Sequence, residues 1–123
     1  MKGIKVELNG EDDKGNVKVV SSYFLRKMNI GASIRRYALY EQIAERENIS
    51  EVARNIMMIC ANLMVVLCDG DGNLLYPTPE TGPDNCLDKL IDEMDDDVLG
   101  LLTQENMDLN PPVSSLKAKK KKF

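Results

Sequence analysis

The chain contains no histidine, which removes at once the commonest general base, the serine and cysteine triads and the usual histidine-bearing zinc sites. Its three cysteines, Cys60, Cys68 and Cys86, are odd in number and show no C-x-x-C spacing, and two of them fall in an apolar run. A disulfide framework is therefore not expected, and they read as small buried hydrophobes in a reducing, intracellular setting. The opening MKGIKVELNG is charged and alternating, without the pattern of a secretory leader. No apolar run reaches the roughly 18 residues a membrane-spanning helix needs. The glycines of DGDGN at 69–73 lack the G-x-x-x-x-G-K spacing of a phosphate cradle, and their aspartates repel an anion. These absences predict a protein that is not an enzyme, takes no cofactor, holds no metal and does not enter a membrane.

What the chain does have is one dominant apolar stretch. From Ile56 to Cys68 every residue except Asn62 is apolar, leaving no face for water, so the segment is a central buried helix or a pair of strands. Its start favours a helix: Asn48 with Glu51 three residues on has the form of a capping box, and Ser50 is an alternative cap. The expectation is a buried apolar helix at about 49–68, around which shorter amphipathic pieces pack in one domain over residues 1–110. The fold class is mainly α with a small N-terminal β-hairpin (α+β).

Before that helix, Ile4, Val6 and Leu8 alternate with charged residues, and Val17, Val19 and Val20 follow a polar stretch at Asn9 to Asn16, predicting two short strands around a mobile loop. Ser21 or Ser22 can cap a short helix carrying Tyr23, Phe24 and Met28. Ser33 can cap the next helix, with Ile34, Tyr37, Ala38, Ile43 and Ala44 as its apolar stripe. After it, Leu74 to Tyr76 form a short extended piece and PTPETGPDN a proline-rich loop. Asp84 or Asn85 caps a helix with Leu87, Leu90, Ile91 and Met94 at helical spacing. The stripe continues through Val98, Leu101 and Leu102, either as a second helix or beyond a bend at Asp95 to Asp97, with Gly100 weakening it by about 1 kcal/mol. Pro111 and Pro112 close the domain, and residues 111–123 read as a disordered basic tail.

Charge divides the chain. All 20 acids and 11 of the 16 bases lie in residues 1–116, leaving that body at −9, while Lys117 and Lys119 to Lys122 supply the rest. Within 84–108 there are nine acids against Lys89 alone. So acidic a surface repels phosphates, which argues against a nucleic-acid partner. The carboxylates of Glu93 and Asp95 to Asp97 read as a helix cap and solvated surface rather than a cation site. Asp69, Asp71 and Asn73 occupy the first ligand positions of a calcium loop with Glu80 twelfth, but Leu74 stands where glycine is required and Pro77 breaks the loop, so a turn is the better reading. The lysine run suits weak contacts with anionic lipid, nucleic acid or a host surface, or, at the level of its codons, a slippery site for ribosomal frameshifting. Met57, Met58 and Met64 suit a core and equally an adaptable contact surface.

Taken in order, a strand-forming start, SYFLRKMNIGASIRRYALYEQIAE, an apolar segment running into VVLCDGDGNLLY, and the acidic series LDKLIDEMDDDVLGLLTQENMDLN closing at Leu109 and Asn110 resemble the tail assembly chaperones of long-tailed bacteriophages. The resemblance covers about residues 15–110, and the acidic loop at Asn9 to Asn16 and the insertion at Pro77 to Pro83 depart from it. It implies a small acidic helical protein of the host cell cytoplasm. Such a protein binds the tape-measure protein, keeps it soluble, helps recruit tail tube subunits, and is absent from the mature virion. It further implies two forms, the longer one frameshifted and engaging the tail tube protein through its extension. The AKKKKF end resembles the short form. The contact surface is expected on the exposed side of the central helix, at Met57 and Met64, with Leu87, Ile91 and Met94 as a second stripe, and an uncovered strip would also support a homo-oligomer. Two other classes fit the same size and acidity: a structural tail completion or joining protein, and a small acidic adaptor or inhibitor that binds a host protein.

Overall fold

The computed structural model describes residues 3–77 and 86–112. The elements in order are β1 (Ile4–Glu11), β2 (Val17–Leu25), α1 (Ile30–Ala44), α2 (Glu51–Met64), β3 (Leu67–Cys68), α3 (Cys86–Glu93) and α4 (Asp96–Leu109). The fold is mainly α with a small antiparallel sheet, in which β2 lies between β1 and β3. The tail after Pro112, and the caps expected at Asp84 or Asn85, lie outside the described residues.

The hairpin is longer than its alternating residues suggested. Ile4 pairs with Leu25, Val6 with Tyr23 and Leu8 with Ser21, then the register shifts between Leu8 and Asn9. Such a bulge turns the far half of the ribbon, and there Val17 and Val19 are exposed while Leu25 at the base is fully buried. The helix expected from Ser21 or Ser22 does not form: Tyr23, Phe24 and Leu25 continue β2. Their aromatic and aliphatic side chains suit a half-buried strand, and main-chain pairing on both sides outweighs a possible serine cap. Nor is residues 9–16 an open loop. Asp12 folds the tip, accepting at Oδ1 from the backbone N–H of Lys14 and of Asn16, both 2.9 Å, with Gly15 at φ 78°.

The same tip recurs at residues 69–73. Asp69 Oδ1 accepts from the N–H of Asp71 at 2.9 Å and of Asn73 at 3.0 Å, Asn73 Nδ2 reaches Asp69 Oδ2 at 3.4 Å, and Gly72 sits at φ 90°. Both turns read D-x-x-G-N, with glycine supplying the left-handed residue the loop requires. Backbone donors hold the Asp12 and Asp69 carboxyls below the usual carboxylate range, those of Asn16 and Asn73 contributing most. The stabilisation each turn gains from its carboxylate is present when that group is ionised and is lost as acid protonates it.

α2 is the axis expected, though shorter. Ser50 caps it, its Oγ accepting from Ala53 N–H at 3.0 Å, whereas Asn48 stands in the left-handed region at φ 60°. The helix stops at Met64 rather than near Cys68. The N–H of Val66 closes the last turn on Leu63, and the chain then enters β3, where Leu67 and Cys68 pair with Leu25 and Phe24. The bare edge of β2 gives the β-branched Val65-Val66 and its successors a ladder to join, and Val65 to Cys68 become the most buried stretch of the molecule. Asn62, the one polar residue in the run, is explained by Tyr40, whose hydroxyl donates to its Oδ1 at 2.5 Å.

α1 begins four residues earlier than a cap at Ser33 would place it. Asn29 caps it, accepting from Ala32 N–H at 2.8 Å, and Ala32, Leu39 and Ile43 face the core. At its other end the Arg54 guanidinium of α2 donates to the carbonyls of Ala44 and Arg46, both at 3.1 Å, satisfying acceptors that the helix end leaves open. α3 and α4 are separate helices broken at Asp95, with Asp96 and Asp97 in the first turn of α4, where negative charge meets the positive helix end.

Leu109 and Asn110 tie the end of α4 to the segment between β2 and α1. Asn110 Oδ1 accepts from Met28 N–H at 2.6 Å, and its Nδ2 donates to Asn106 Oδ1 at 2.9 Å and to the Arg26 carbonyl at 3.2 Å. Lys27 Nζ donates to the Leu109 carbonyl at 2.7 Å. Asn110→Ala removes three of these bonds and leaves partly buried groups unsatisfied, so it should cost about 1–3 kcal/mol in urea unfolding.

Candidate partner-binding groove

α1 and α4 each pack on α2, and between them α2 is left partly bare. The result is an open cleft of about 720 Å³, with Ser33, Arg36 and Tyr37 of α1 on one wall, Thr103, Asn106 and Met107 of α4 on the other, and Ile59 and Asn62 of α2 as floor. Lys27, Met28 and the Asn110 to Pro112 segment close one end. A hollow of about 210 Å³ between Ile56, Leu99, Gly100 and Asp96 continues it, the two sharing Ile59 and Thr103. The groove thus follows α4 from its N-terminal turn to its end.

Helical spacing explains why this surface is apolar. Val52, Ile56 and Ile59 recur at i, i+4 and i+7 along α2, and Ile30, Ile34 and Tyr37 repeat the spacing along α1. Both rows are exposed, Ile56 at 45% and Ile59 at 38%. α1 and α2 are therefore apolar on two faces, one committed to the core and one left outside it, and of the outer rows Tyr37, Ile56 and Ile59 line the hollows. The structure divides the stripe expected on α1 from Ile34, Tyr37, Ala38, Ile43 and Ala44: Ile34 and Tyr37 are exposed, whereas Ile43 joins Leu39 in the core.

Polar side chains share the cleft with the apolar ones and are unevenly satisfied. The Arg36 guanidinium lies 5.0 Å from the Tyr37 ring centroid and 6.0 Å from that of Tyr40, and the two rings meet edge-on at 5.9 Å. Arg36 Nε and Thr103 Oγ1 are buried without a hydrogen-bond partner among the described residues. Burial pushes the Tyr40 hydroxyl up, so it stays the donor to Asn62.

The residues singled out from sequence lie elsewhere. Met64 is fully buried and Leu87 is 4% exposed, both in the core. Met57, Ile91 and Met94 are half-buried and pack against that core. On the exposed side of the central helix stand isoleucines, Ile56 and Ile59, rather than the methionines expected there. Leu87, Ile91 and Met94 turn inward to seat α3. The acidic residues carry structural duties: Glu93 accepts from the Tyr76 hydroxyl at 2.6 Å, and Asp88 pairs with Arg46 at 2.9 Å. Among the described residues no group of three acids or cysteines is placed to hold a metal ion, and Asp69 spends its carboxylate on its own turn. Burial pushes the Cys60 and Cys68 thiols up, which suits packing rather than nucleophilic attack.

Tyr76 supplies a pH test of this packing. Burial, with the hydrogen bond to Glu93 second, pushes its hydroxyl up to about 12. The neutral form is favoured in the folded chain, so its contribution is complete below the ordinary tyrosine range near pH 10 and is lost as pH rises toward 12. Stability measured by denaturant should fall across that window, and Tyr76→Phe should flatten the fall. No helix among the described residues is long and apolar enough to cross a membrane. No protein-family model, curated protein or solved structure matches the chain.

Proposed function

We propose that the chain is a tail assembly chaperone of a long-tailed bacteriophage. In this reading it binds the tape-measure protein in the host cell cytoplasm, keeps it soluble and helps recruit tail tube subunits, catalyses nothing and is absent from the finished particle. The observation that carries the reading is the groove over α2. Most of its exposed surface is apolar, although Ser33, Arg36, Asn62, Thr103 and Asn106 also line it, and it runs beside the 14 residues of α4, about 21 Å, which is the length of a four-turn helix. Such a surface suits the helix-in-groove mode, in which an amphipathic partner buries its apolar row at i, i+3, i+4 and i+7.

A tape-measure protein is a long helical chain whose apolar stripes aggregate when bare. Covering them one short segment at a time needs only modest affinity per site, and the acidic body disperses the complex by repulsion. The test is co-expression of the cognate tape-measure protein with and without this chain, followed by sedimentation and by mass spectrometry of purified particles. The proposal expects soluble tape-measure protein only in the presence of the chain, and no chain in the particles. A tape-measure protein that pellets beside a folded, soluble chain would overturn it, and recovery of the chain in particles would make it a structural tail protein instead.

A further inference from the structure

Resting on that reading, we propose that the groove accepts its helix in one direction, parallel to α4, with a carboxylate-bearing C-terminal end at Lys27 and Arg36 and its N-terminal end beside Asp96. The groove is electrically polar along its length. Lys27 lies at the end closed by Asn110 to Pro112, Arg36 stands on the α1 wall of the same cleft, and Asp96 lines the opposite end. These cations stand out on a body whose net charge is −9.

Arg36 has no carboxylate partner among the described residues, since the ion pairs there are Lys5 with Glu7 and Arg46 with Asp88. It is held over two tyrosine rings with Nε buried and unbonded. A guanidinium stacked on aromatics in an apolar cleft is preorganised for a charge-assisted fork to a carboxylate. A helix C-terminus carries negative partial charge as well, so both effects favour the same end. The occupant is thus an amphipathic helix of about four turns, acidic at its C-terminal end, rather than an apolar stripe of arbitrary polarity.

The test uses the full chain and two fluorescent synthetic helices with the same leucine stripe and capped termini. One carries glutamates in its last turn and lysines in its first, and the other has these exchanged. The proposal expects the first to bind about tenfold tighter in anisotropy titrations at low salt, with the gap closing as salt rises. Arg36→Gln, checked by circular dichroism, should remove most of the preference while the second peptide binds as before. Should Arg36→Gln fail to fold, Lys27→Gln serves the same comparison, and the peptide exchange on the unaltered chain stands by itself. Equal binding of the two peptides would overturn the direction and leave the groove reading intact. Binding of neither would overturn both.

Discussion

Met64→Asp unfolds the protein. Met64 is fully buried in the last turn of α2, in the cluster that joins Leu63, Val65 to Leu67 and Leu25. Losing its side chain from such a core costs about 2–5 kcal/mol, and an unpaired carboxylate placed there adds several more. The sum reaches the whole stability of a small domain, about 5–15 kcal/mol. Circular dichroism should show lost helix and no cooperative melt. Met64→Leu, which keeps the volume, should stay within about 1.5 kcal/mol of the parent. A Met64→Asp protein that melts like the parent would show that the core is not where the structure has it.

Ile59→Asp gives the opposite pairing of effects: the helices remain and binding is lost. Ile59 is 38% exposed, so part of its side chain is covered and the substitution should cost about 1–3 kcal/mol, less than the stability of a small domain. It stands at the junction of the two hollows, however, where any helix lying in the groove must cover it. A carboxylate at that point would be buried against the partner's apolar row without a counter-charge, lowering affinity by at least about tenfold. Val52→Asp lies on the same row of α2, is 68% exposed and lines neither hollow, so it should bind as the parent does. Equal losses from the two substitutions would point to general charge repulsion. No loss from Ile59→Asp would place the partner on another surface.

Much of this fold is legible in the residues. The hairpin, the start of α2 near Ser50, the alternative to an Asn48 cap, and the helical spacing of α3 and α4 follow from caps and periodicity; that the stripe of α3 turns inward rather than toward a partner does not. Other features are not. An unbroken run from Ile56 to Val66 carries no glycine or proline to mark where the helix yields to β3, and the deciding factor is the free edge of β2, which is remote in sequence. Ser21 and Ser22 carry good capping side chains, yet the strand wins because Tyr23 pairs with β1 and Phe24 and Leu25 find partners on both sides. The turn at Asp69 shows how a local motif misleads. Its spacing resembles part of a calcium loop, while the repeated D-x-x-G-N at Asp12 was the signal that both are hairpin tips.

The proposed groove is only partly legible in the residues, for a related reason. On a helix apolar all round, periodicity cannot say which face the rest of the chain will cover. Methionine chemistry points to Met57 and Met64, but Met64 lies in the core and Met57 packs against it, while Ile56 and Ile59 stay exposed. Arg36 gave no sign in sequence, being one of several surface arginines until Tyr37 and Tyr40 are seen beneath it. Leu109 and Asn110, noticed as a closing pair, acquire a physical role as the tie that fixes α4 and with it one wall of the groove.

Amide hydrogen exchange of the full chain, with and without a soluble segment of the cognate tape-measure protein, tests the groove most directly. Binding there should slow exchange in the N-terminal half of α1, at Ile56 to Asn62, and from Thr103 to Asn110, leaving β1 and α3 unchanged. Protection confined to the hairpin or to α3, or none at saturating segment, would contradict the assignment of this groove as the partner site.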